Sequence, residues 1–328
     1  MKTLLLNRED VAQVLAMKDI ISAVEDGYRV FNSGKLQQPR IIGVEMPQHN
    51  GDTDIKSCYN SENEAFSVKI VSGFYDNGKT NDLPTLIGNV LIFDGTCGAL
   101  LCVMDGSLIT GVRTGASGAI SSKYLARKDS KTVAVIGGGG QARMQVYALC
   151  ELMDIETVKV YSPQPQELPK YKEDVEARTR LAVVICDTVE EAMQGADIAI
   201  STTPSKQYLA SADLVKPGMH IVAVGADMEG KNEWDPQIFS NAKIVNDSIA
   251  ECCARGETRN ALIAGVITEE NIYAEIGQII EGEKKGRESD DEITIYDTVG
   301  LGIQDNVTAM RVYEIAKERN LGKYFEFF

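Results

Sequence analysis

The sequence has little of what metal centres and disulfide frameworks require. Its 328 residues include only two histidines, and none of its seven cysteines stands in a C-x-x-C pair. The cysteine count is also odd, so a disulfide framework and a structural metal site are both disfavoured. We therefore expect no bound metal and a reducing, cytoplasmic location.

Long hydrophobic runs and positive charge are also scarce. The leucine run at residues 4–6 is too short for the hydrophobic region of a signal peptide, and no stretch approaches the length of a membrane span. The formal net charge of −15 disfavours nucleic acid and anionic membranes as partners. The length allows about two domains of ordinary size.

A glycine-rich turn between an apolar strand and a helical pattern is the most informative stretch. TVAVI (132–136) is typical of a buried parallel strand, and GGGGQA follows it with the spacing G-x-G-x-x-A at Gly137, Gly139 and Ala142. Glycine permits the sharp turn and the close approach of a pyrophosphate, which the helix N-terminus then faces. With a second apolar strand at 157–161, this pattern predicts dinucleotide binding.

The predicted secondary structure changes along the chain. Residues 8–32 are predicted to be helical, with Asn7 or Asp10 as the cap, and residues 40–105 resemble an antiparallel meander of short strands. Residues 105–128 predict a helix rich in small residues that joins two domains. Further strands are predicted near 132, 157, 181–186, 197–201, 220–224 and 243–245, with 290–296 as a candidate edge strand, 281–292 as a solvated loop and 305–320 as the last helix.

The predicted fold class is therefore α/β with two domains. A Rossmann-type doubly wound dinucleotide-binding domain is expected at 126–304. A smaller α+β domain for substrate binding and dimerisation is expected from 1–125 together with 305–328. Because ligands of doubly wound sheets bind beyond the carboxyl ends of the strands, we expect the substrate where the first domain faces Gly137.

Four charged residues are candidates for chemistry. Arg40, Lys69 and Arg113 stand at strand or turn positions, and strand periodicity alone favours a solvent-facing Lys69. Asp227 directly follows a predicted strand, where a doubly wound sheet presents catalytic groups, although a turn aspartate is an equally good interpretation. His220 begins an apolar strand and is expected to be structural.

The motifs, in their order, resemble the ornithine cyclodeaminase/μ-crystallin family across nearly the whole chain. They are QPR (38–40), VKIVS with a following asparagine (68–77), LPTLIGNVLIFD (83–94), MDGSLITGVRTGA (104–116), GGGGQAR (137–143), ADIAISTTPS (196–205), GADMEGKNE (225–233) and YDTVGLGIQD (296–305).

The resemblance implies a set of roles. Arg40, Lys69 and Arg113 would surround the substrate carboxylate, which suits planar donors and a point charge. Asp227 would be the catalytic aspartate, and Lys69, among cations, would titrate near neutrality and join in proton transfer. The residues assigned to NAD or NADP are Gly137, Gly139, Gly140, Gln141 and Ala142 at the pyrophosphate, Thr202 near the ribose or nicotinamide, and Ser162 and Thr85.

Two departures from the family pattern affect specificity. Ornithine cyclodeaminases carry a glutamate two residues before a Met-Pro pair, but Val44 stands there and Glu45 is offset by one, which on a strand faces the other way unless a bulge intervenes. After the second Rossmann strand, Ser162 and Pro163 replace the acid that would mark NAD. Lys170 and Lys172 lie further along, so the choice between NAD and NADP stays open.

The predicted function is an NAD(P)-dependent oxidoreductase acting at the Cα–N bond of an amino or α-imino acid. The alternative is ornithine cyclodeamination, which forms proline and ammonia with no net redox change. A third interpretation is a non-catalytic dinucleotide-binding protein. The resemblance also implies a homodimer formed through the β-rich domain.

Overall fold

The computed structural model describes residues 2–327, and the chain divides into two compact units. Unit 1 combines Met1–Arg113 with Leu301–Phe328, and unit 2 is Thr114–Gly300. The first division falls within the small-residue helix Gly106–Leu125. The domain boundaries predicted from the sequence, 125/126 and 304/305, both lie further along the chain. The first differs because the prediction assigned the whole of this helix to the first domain.

The elements are numbered in chain order. The strands are β1 (Lys2–Leu6), β2 (Leu36–Gln37), β3 (Ile42–Met46), β4 (Gly51–Asn60), β5 (Ala65–Phe74), β6 (Leu86–Asp94), β7 (Leu100–Asp105), β8 (Thr132–Ile136), β9 (Thr157–Tyr161), β10 (Ala182–Ile185), β11 (Ile198–Ser201), β12 (His220–Ala223), β13 (Ala242–Asn246), β14 (Ile272–Glu275), β15 (Ile293–Asp297) and β16 (Lys323–Glu326). The helices are α1 (Arg8–Val14), α2 (Met17–Ser33), α3 (Asn77–Thr80), α4 (Gly106–Leu125), α5 (Gly140–Leu152), α6 (Leu168–Thr179), α7 (Val189–Met193), α8 (Ile249–Arg255), α9 (Glu257–Ile263), α10 (Ile276–Ile280) and α11 (Gly302–Glu318).

Unit 1 is a sheet with helices on one face. Its strand order is β16-β1-β7-β6-β5-β4-β2, with β3 also paired to β4, and β4 to β7 form the predicted antiparallel meander. Alternate residues of β5 are buried, and α11 packs against β4 and β5 on that side. A Cβ on Gly302 would lie 2.7 Å from the carbonyl oxygen of Ser57, so glycine lets the start of α11 approach β4 closely.

The predicted helix at 8–32 is two helices. Leu15 and Ala16 have extended backbone between α1 and α2, and Asn7 caps α1 in a capping box with Asp10. Buried residues on both sides, from Val11 to Val24, keep helical spacing across the break. The hydrophobic period therefore does not reveal the interruption.

Unit 2 is a parallel doubly wound sheet in the order β10-β9-β8-β11-β12-β15-β13-β14. The six predicted strands are present, but β15 is not an edge strand. It lies between β12 and β13, pairing Asp297 with both Ala223 and Asn246. The acids that precede β15 in the sequence are typical of an exposed segment, whereas the strand itself is buried. The edge strand on this side of the sheet is β14, which the sequence did not predict.

The order of strands places three loops at one edge of the unit 2 sheet. β8 and β11 are neighbours, β9 lies beyond β8, and β12 lies beyond β11, so the winding reverses between β8 and β11. The glycine turn follows Ile136, the 202–205 segment follows Ser201, and the Asp227 loop follows Ala223. Within residues 2–327 no helix has the length and apolarity needed to cross a membrane.

Candidate active site

The glycine turn of unit 2 is shaped by its surroundings. Gly137 has φ +112°, and a Cβ there would lie 2.7 Å from Thr202 Oγ1. Its N–H donates to the Tyr161 carbonyl at 2.8 Å. The positive φ and the short distance from a Cβ to Thr202 both require glycine at this position. Thr202 therefore lies directly against the turn.

The last two glycines of the turn, Gly139 and Gly140, border open space. A Cβ on Gly139 or Gly140 would meet no atom within 4 Å, and α5 begins at this point, with its first N–H groups available. Gln141 Nε2 is buried and has no hydrogen-bond acceptor among residues 2–327, while Ala142 is fully buried beneath the turn. An open cradle at a helix N-terminus with an unused donor fits a dinucleotide pyrophosphate.

Replacing Gly139 with alanine is expected to separate cofactor binding from folding. Its φ of −78° and ψ of −170° suit alanine, so the melting temperature should not change. The new methyl group would occupy the open cradle, and the NADH dissociation constant should rise about 10- to 100-fold, equivalent to ~1.4–2.8 kcal/mol. Gly78→Ala, also at an unobstructed position, is the control in fluorescence titration and thermal melting. Unchanged NADH affinity in Gly139→Ala would place the pyrophosphate elsewhere.

Asp227 lies in a loop that is fixed by buried hydrogen bonds. Lys231 Nζ donates to Asp227 Oδ1 at 2.7 Å. Two residues on, the Glu233 carboxylate accepts from Ser201 Oγ, from Thr203 N and from Gly225 N. Glu233 thus ties the end of β11 to the start of the Asp227 loop.

No Lys or Arg side chain within residues 2–327 forms an ion pair with Glu233. Burial raises its pKa to about 7, against the hydrogen bonds from Ser201 and Thr203 that favour the ionised form. Its own N–H donates to the buried Glu257. Neither Lys231 nor Glu233 was among the residues predicted for the site; their place in the GKNE motif (230–233) is the signal that marks them.

Lys69 and Arg113 meet in unit 1 at a single carboxylate oxygen. Lys69 Nζ donates to Asp305 Oδ1 at 2.8 Å and Arg113 Nε donates to the same oxygen at 3.0 Å. Arg113 Nη1 donates to Gln304 Oε1 at 3.0 Å. Neither Asp305 nor Gln304 accepts a hydrogen bond from Arg113 Nη2. Lys69 is 0% exposed, so the solvent-facing interpretation from periodicity is wrong: α11 covers the face of β5 that carries it.

A second lysine, Lys56, lies opposite Lys69. The two residues are cross-strand partners on β4 and β5. Lys56 is also buried, and its Nζ lies 3.8 Å from Asp54 Oδ2. Burial, then the charges of Arg113 and Lys56, lower the pKa of Lys69 to about 7, although Asp305 opposes them. Burial by itself raises the pKa of Asp305, but Arg113, Lys69 and Lys56 hold it below its ordinary value.

The charges of this unit 1 cluster do not cancel. In the group formed by Lys69, Arg113 and Asp305, two cations share one carboxylate, which leaves one positive charge when Lys69 is protonated. A buried excess charge favours an anionic ligand. One substrate carboxylate would restore neutrality.

Four other residues discussed from the sequence make no contact with Lys69, Arg113 or Asp305 among the interactions of residues 2–327. Arg40 is exposed on the loop before β3 and makes no hydrogen bond or ion pair within residues 2–327. Thr85 is exposed before β6, where its carbonyl accepts from Phe74 N, and its cofactor role stays a prediction. Val44 and Glu45 lie on the exposed strand β3, whose pairing with β4 has no bulge. Neither is opposite Lys69; Lys56 occupies that place.

Two remaining residues belong to unit 2. Ser162 is buried, and its Oγ accepts from Gln164 N at the end of β9. His220 Nδ1 lies 2.9 Å from Thr294 Oγ1 and Nε2 lies 3.3 Å from Ser121 Oγ. Burial and Arg287 lower the pKa of His220 to about 3, which agrees with the structural role expected for it. Among residues 2–327, no group of three or more His, Cys, Asp or Glu side chains is arranged to hold a metal ion.

The doubly wound sheet and its glycine cradle define a dinucleotide-binding protein. The family model of the ornithine cyclodeaminase/mu-crystallin family matches residues 1–320, so the chain belongs to that family, as the sequence motifs predicted.

Three relatives are similar over essentially the whole chain. An alanine dehydrogenase of Archaeoglobus fulgidus is 38% identical over 328 residues, which cover 100% of this chain and 99% of that protein. A solved archaeal alanine dehydrogenase dimer with bound NAD has TM-score 0.94, 38% identity and 100% coverage of both chains. The Δ1-pyrroline-2-carboxylate reductase of Thermococcus litoralis, solved with NADH and L-proline, has TM-score 0.95 and 35% identity, and the match covers 98% and 99% of the two chains. The predictions of an NAD(P)-dependent oxidoreductase and of its fold class are confirmed.

Proposed function

We propose that this protein interconverts an α-imino acid and the corresponding α-amino acid, with NAD(P)H as the hydride source for reduction. The observation that carries the proposal is the meeting of Lys69 and Arg113 at Asp305, where two buried cations share one carboxylate. This arrangement suits an α-carboxylate. The names of the similar proteins, an alanine dehydrogenase and a pyrroline-2-carboxylate reductase, support the same reaction class.

The charge of each residue determines which part of the substrate it would contact. Arg113 and protonated Lys69 bind the carboxylate, with Arg40 as a further predicted contact, and Asp305 holds the two buried cations in place. Asp227 holds the iminium or ammonium nitrogen and exchanges a proton with it. The bound nicotinamide supplies or accepts a hydride at Cα. Gly139, Gly140 and Gln141 would hold the pyrophosphate.

Lys56 argues against ornithine as the substrate. The δ-ammonium of ornithine needs a carboxylate partner, and Val44 stands where cyclodeaminases are expected to carry a glutamate. A second buried lysine, Lys56, lies opposite Lys69 and would repel a cationic side chain that entered the cluster. We therefore propose substrates with uncharged side chains, cyclic or acyclic.

Turnover with defined substrates tests the function. NADH absorbance would be followed with pyrroline-2-carboxylate, with pyruvate plus ammonia, and with ornithine. NADH oxidation with either imino acid, lost in Arg113→Ala, is the expected result. Proline and ammonia from ornithine with no net NADH change would instead show a cyclodeaminase. Tight NADH binding without turnover on any substrate would contradict the proposal.

We further propose a homodimer formed through the outer face of the unit 1 sheet, in a cytoplasmic protein, as its free cysteines suggest. That face is apolar although its side chains are partly or largely exposed. Its apolar side chains on β5 and β6 are Phe66, Val68, Ile70, Ile87, Leu91 and Phe93. Ile70 is 41% and Ile87 40% exposed, and the Phe66 and Phe93 rings lie 5.8 Å apart. Apolar patches of this kind mark protein interfaces.

Replacing Ile70 with aspartate is expected to convert the dimer to monomer, because a charge would be buried in an apolar interface. Light scattering coupled to gel filtration measures the mass. Ile263→Asp is the matched control, because Ile263 is 68% exposed on α9 of unit 2 and should not alter the mass. A dimer that persists in Ile70→Asp would exclude this face.

A further inference from the structure

The end of β9 lacks the acid that Rossmann domains use to bind the ribose 2′-OH, but the loop that follows supplies one. A Cβ placed on Gly138 would lie 2.9 Å from Leu168 Cδ2, 3.6 Å from Ser162 Cβ and 3.8 Å from Glu167 Cβ. A single 3₁₀ turn, Pro165–Glu167, brings Glu167 back towards the glycine turn. Glu167 thus stands where the adenosine end of a dinucleotide passes.

Glu167 differs from every other acid in this loop and the helix that follows. It is exposed, and its carboxylate makes no hydrogen bond or ion pair within residues 2–327. Glu173 and Asp174 both pair with Lys170 at 3.0 Å, and Glu176 pairs with Lys172 at 3.6 Å. Among these acids, Glu167 alone has no cation paired with its carboxylate within residues 2–327.

The nearby cations are already engaged. Arg143 Nε donates to Asp174 Oδ2 at 2.9 Å, and its Nη1 donates to the Gly138 carbonyl at 2.8 Å. Lys170 and Lys172, the two lysines that left NADP open on sequence grounds, point their ammonium groups at acids of α6. A 2′-phosphate would therefore meet Glu167 without a free cation to offset it.

We propose that Glu167 is the residue that selects NAD(H) over NADP(H), by accepting hydrogen bonds from the adenosine ribose hydroxyls and repelling a 2′-phosphate. The inference rests on the nicotinamide cofactor of the proposed function but not on the substrate. It needs no acid at the end of β9, because the 3₁₀ turn supplies Glu167, six residues after the strand ends.

The affinities for NADH and NADPH, measured without substrate, test the proposed role of Glu167. Trp234 is the only tryptophan of the chain and is buried in unit 2, so energy transfer from Trp234 to bound NADH or NADPH reports both affinities. The wild-type protein should bind NADH at least about tenfold more tightly than NADPH. Glu167→Gln should reduce this ratio by about five- to tenfold, chiefly by strengthening NADPH binding, and Glu167→Lys should reduce it further. Glu173→Gln is the control, because Glu173 is already paired with Lys170.

Two results would overturn the inference. One is a wild-type protein that binds NADPH as tightly as NADH; the other is a Glu167→Gln ratio within about twofold of wild type. Glu167 is exposed, so both variants should fold, and circular dichroism verifies this. Failure of the imino acid assays would leave these affinities measurable, which separates this inference from the proposed reaction.

Discussion

Replacing Lys69 with methionine is expected to lower kcat/KM for imino acid reduction by about 10²- to 10³-fold, because the substrate carboxylate would lose one of its two buried cations. Methionine preserves the apolar volume of the side chain. Asp305 keeps its hydrogen bond from Arg113, so the unit 1 cluster retains one ion pair. The NADH dissociation constant should not change, because the cradle belongs to unit 2.

The pH dependence of the rate should identify Lys69. Its pKa is about 7, and the protonated form binds the carboxylate, so kcat/KM for reduction should be highest below pH 7 and fall above it. Lys69→Met should remove this limb. Lys56→Met should move it to higher pH, because the Lys56 charge lowers the pKa of Lys69, whereas Asp305→Asn should move it to lower pH. A limb unchanged in Lys69→Met would contradict the assignment.

Replacing Asp305 with alanine is expected to lower the free energy of unfolding by about 3–5 kcal/mol, the cost of breaking a buried ion pair by removing one partner. Lys69 and Arg113 would remain buried without their shared acceptor. The substitution should also abolish imino acid reduction, since Arg113 and Lys69 would lose their common anchor. Urea denaturation followed by circular dichroism measures the first effect.

A surface ion pair provides the control for Asp305→Ala. Asp26 pairs with Arg29 within α2 at 2.7 Å, but its side chain is 66% exposed. Asp26→Ala should therefore change stability by at most about 1 kcal/mol. Equal destabilisation by the two substitutions would mean that Asp305 is not the centre of the unit 1 cluster.

The sequence determined the parts of this protein that depend on local spacing. The strand, glycine turn and helix from 132 to 152 follow from a contiguous pattern, and the structure has them as β8, the turn and α5. The alternation of strands and helices after them likewise gave the doubly wound fold. The ordered motifs gave the family, and the resemblance gave Lys69, Arg113 and Asp227 as site residues, whose roles stay predictions.

The tertiary structure decided what depends on residues far apart in sequence. Lys69 was misjudged by periodicity because α11, more than 200 residues later, covers its face of β5 and brings Asp305 to it. Lys56 was overlooked because its position opposite Lys69 depends on the register of the hairpin between β4 and β5. The strand β15 was placed at an edge because its acidic flank suggested exposure. Strand order and cross-strand register are set by packing of the whole sheet, which a local pattern does not contain.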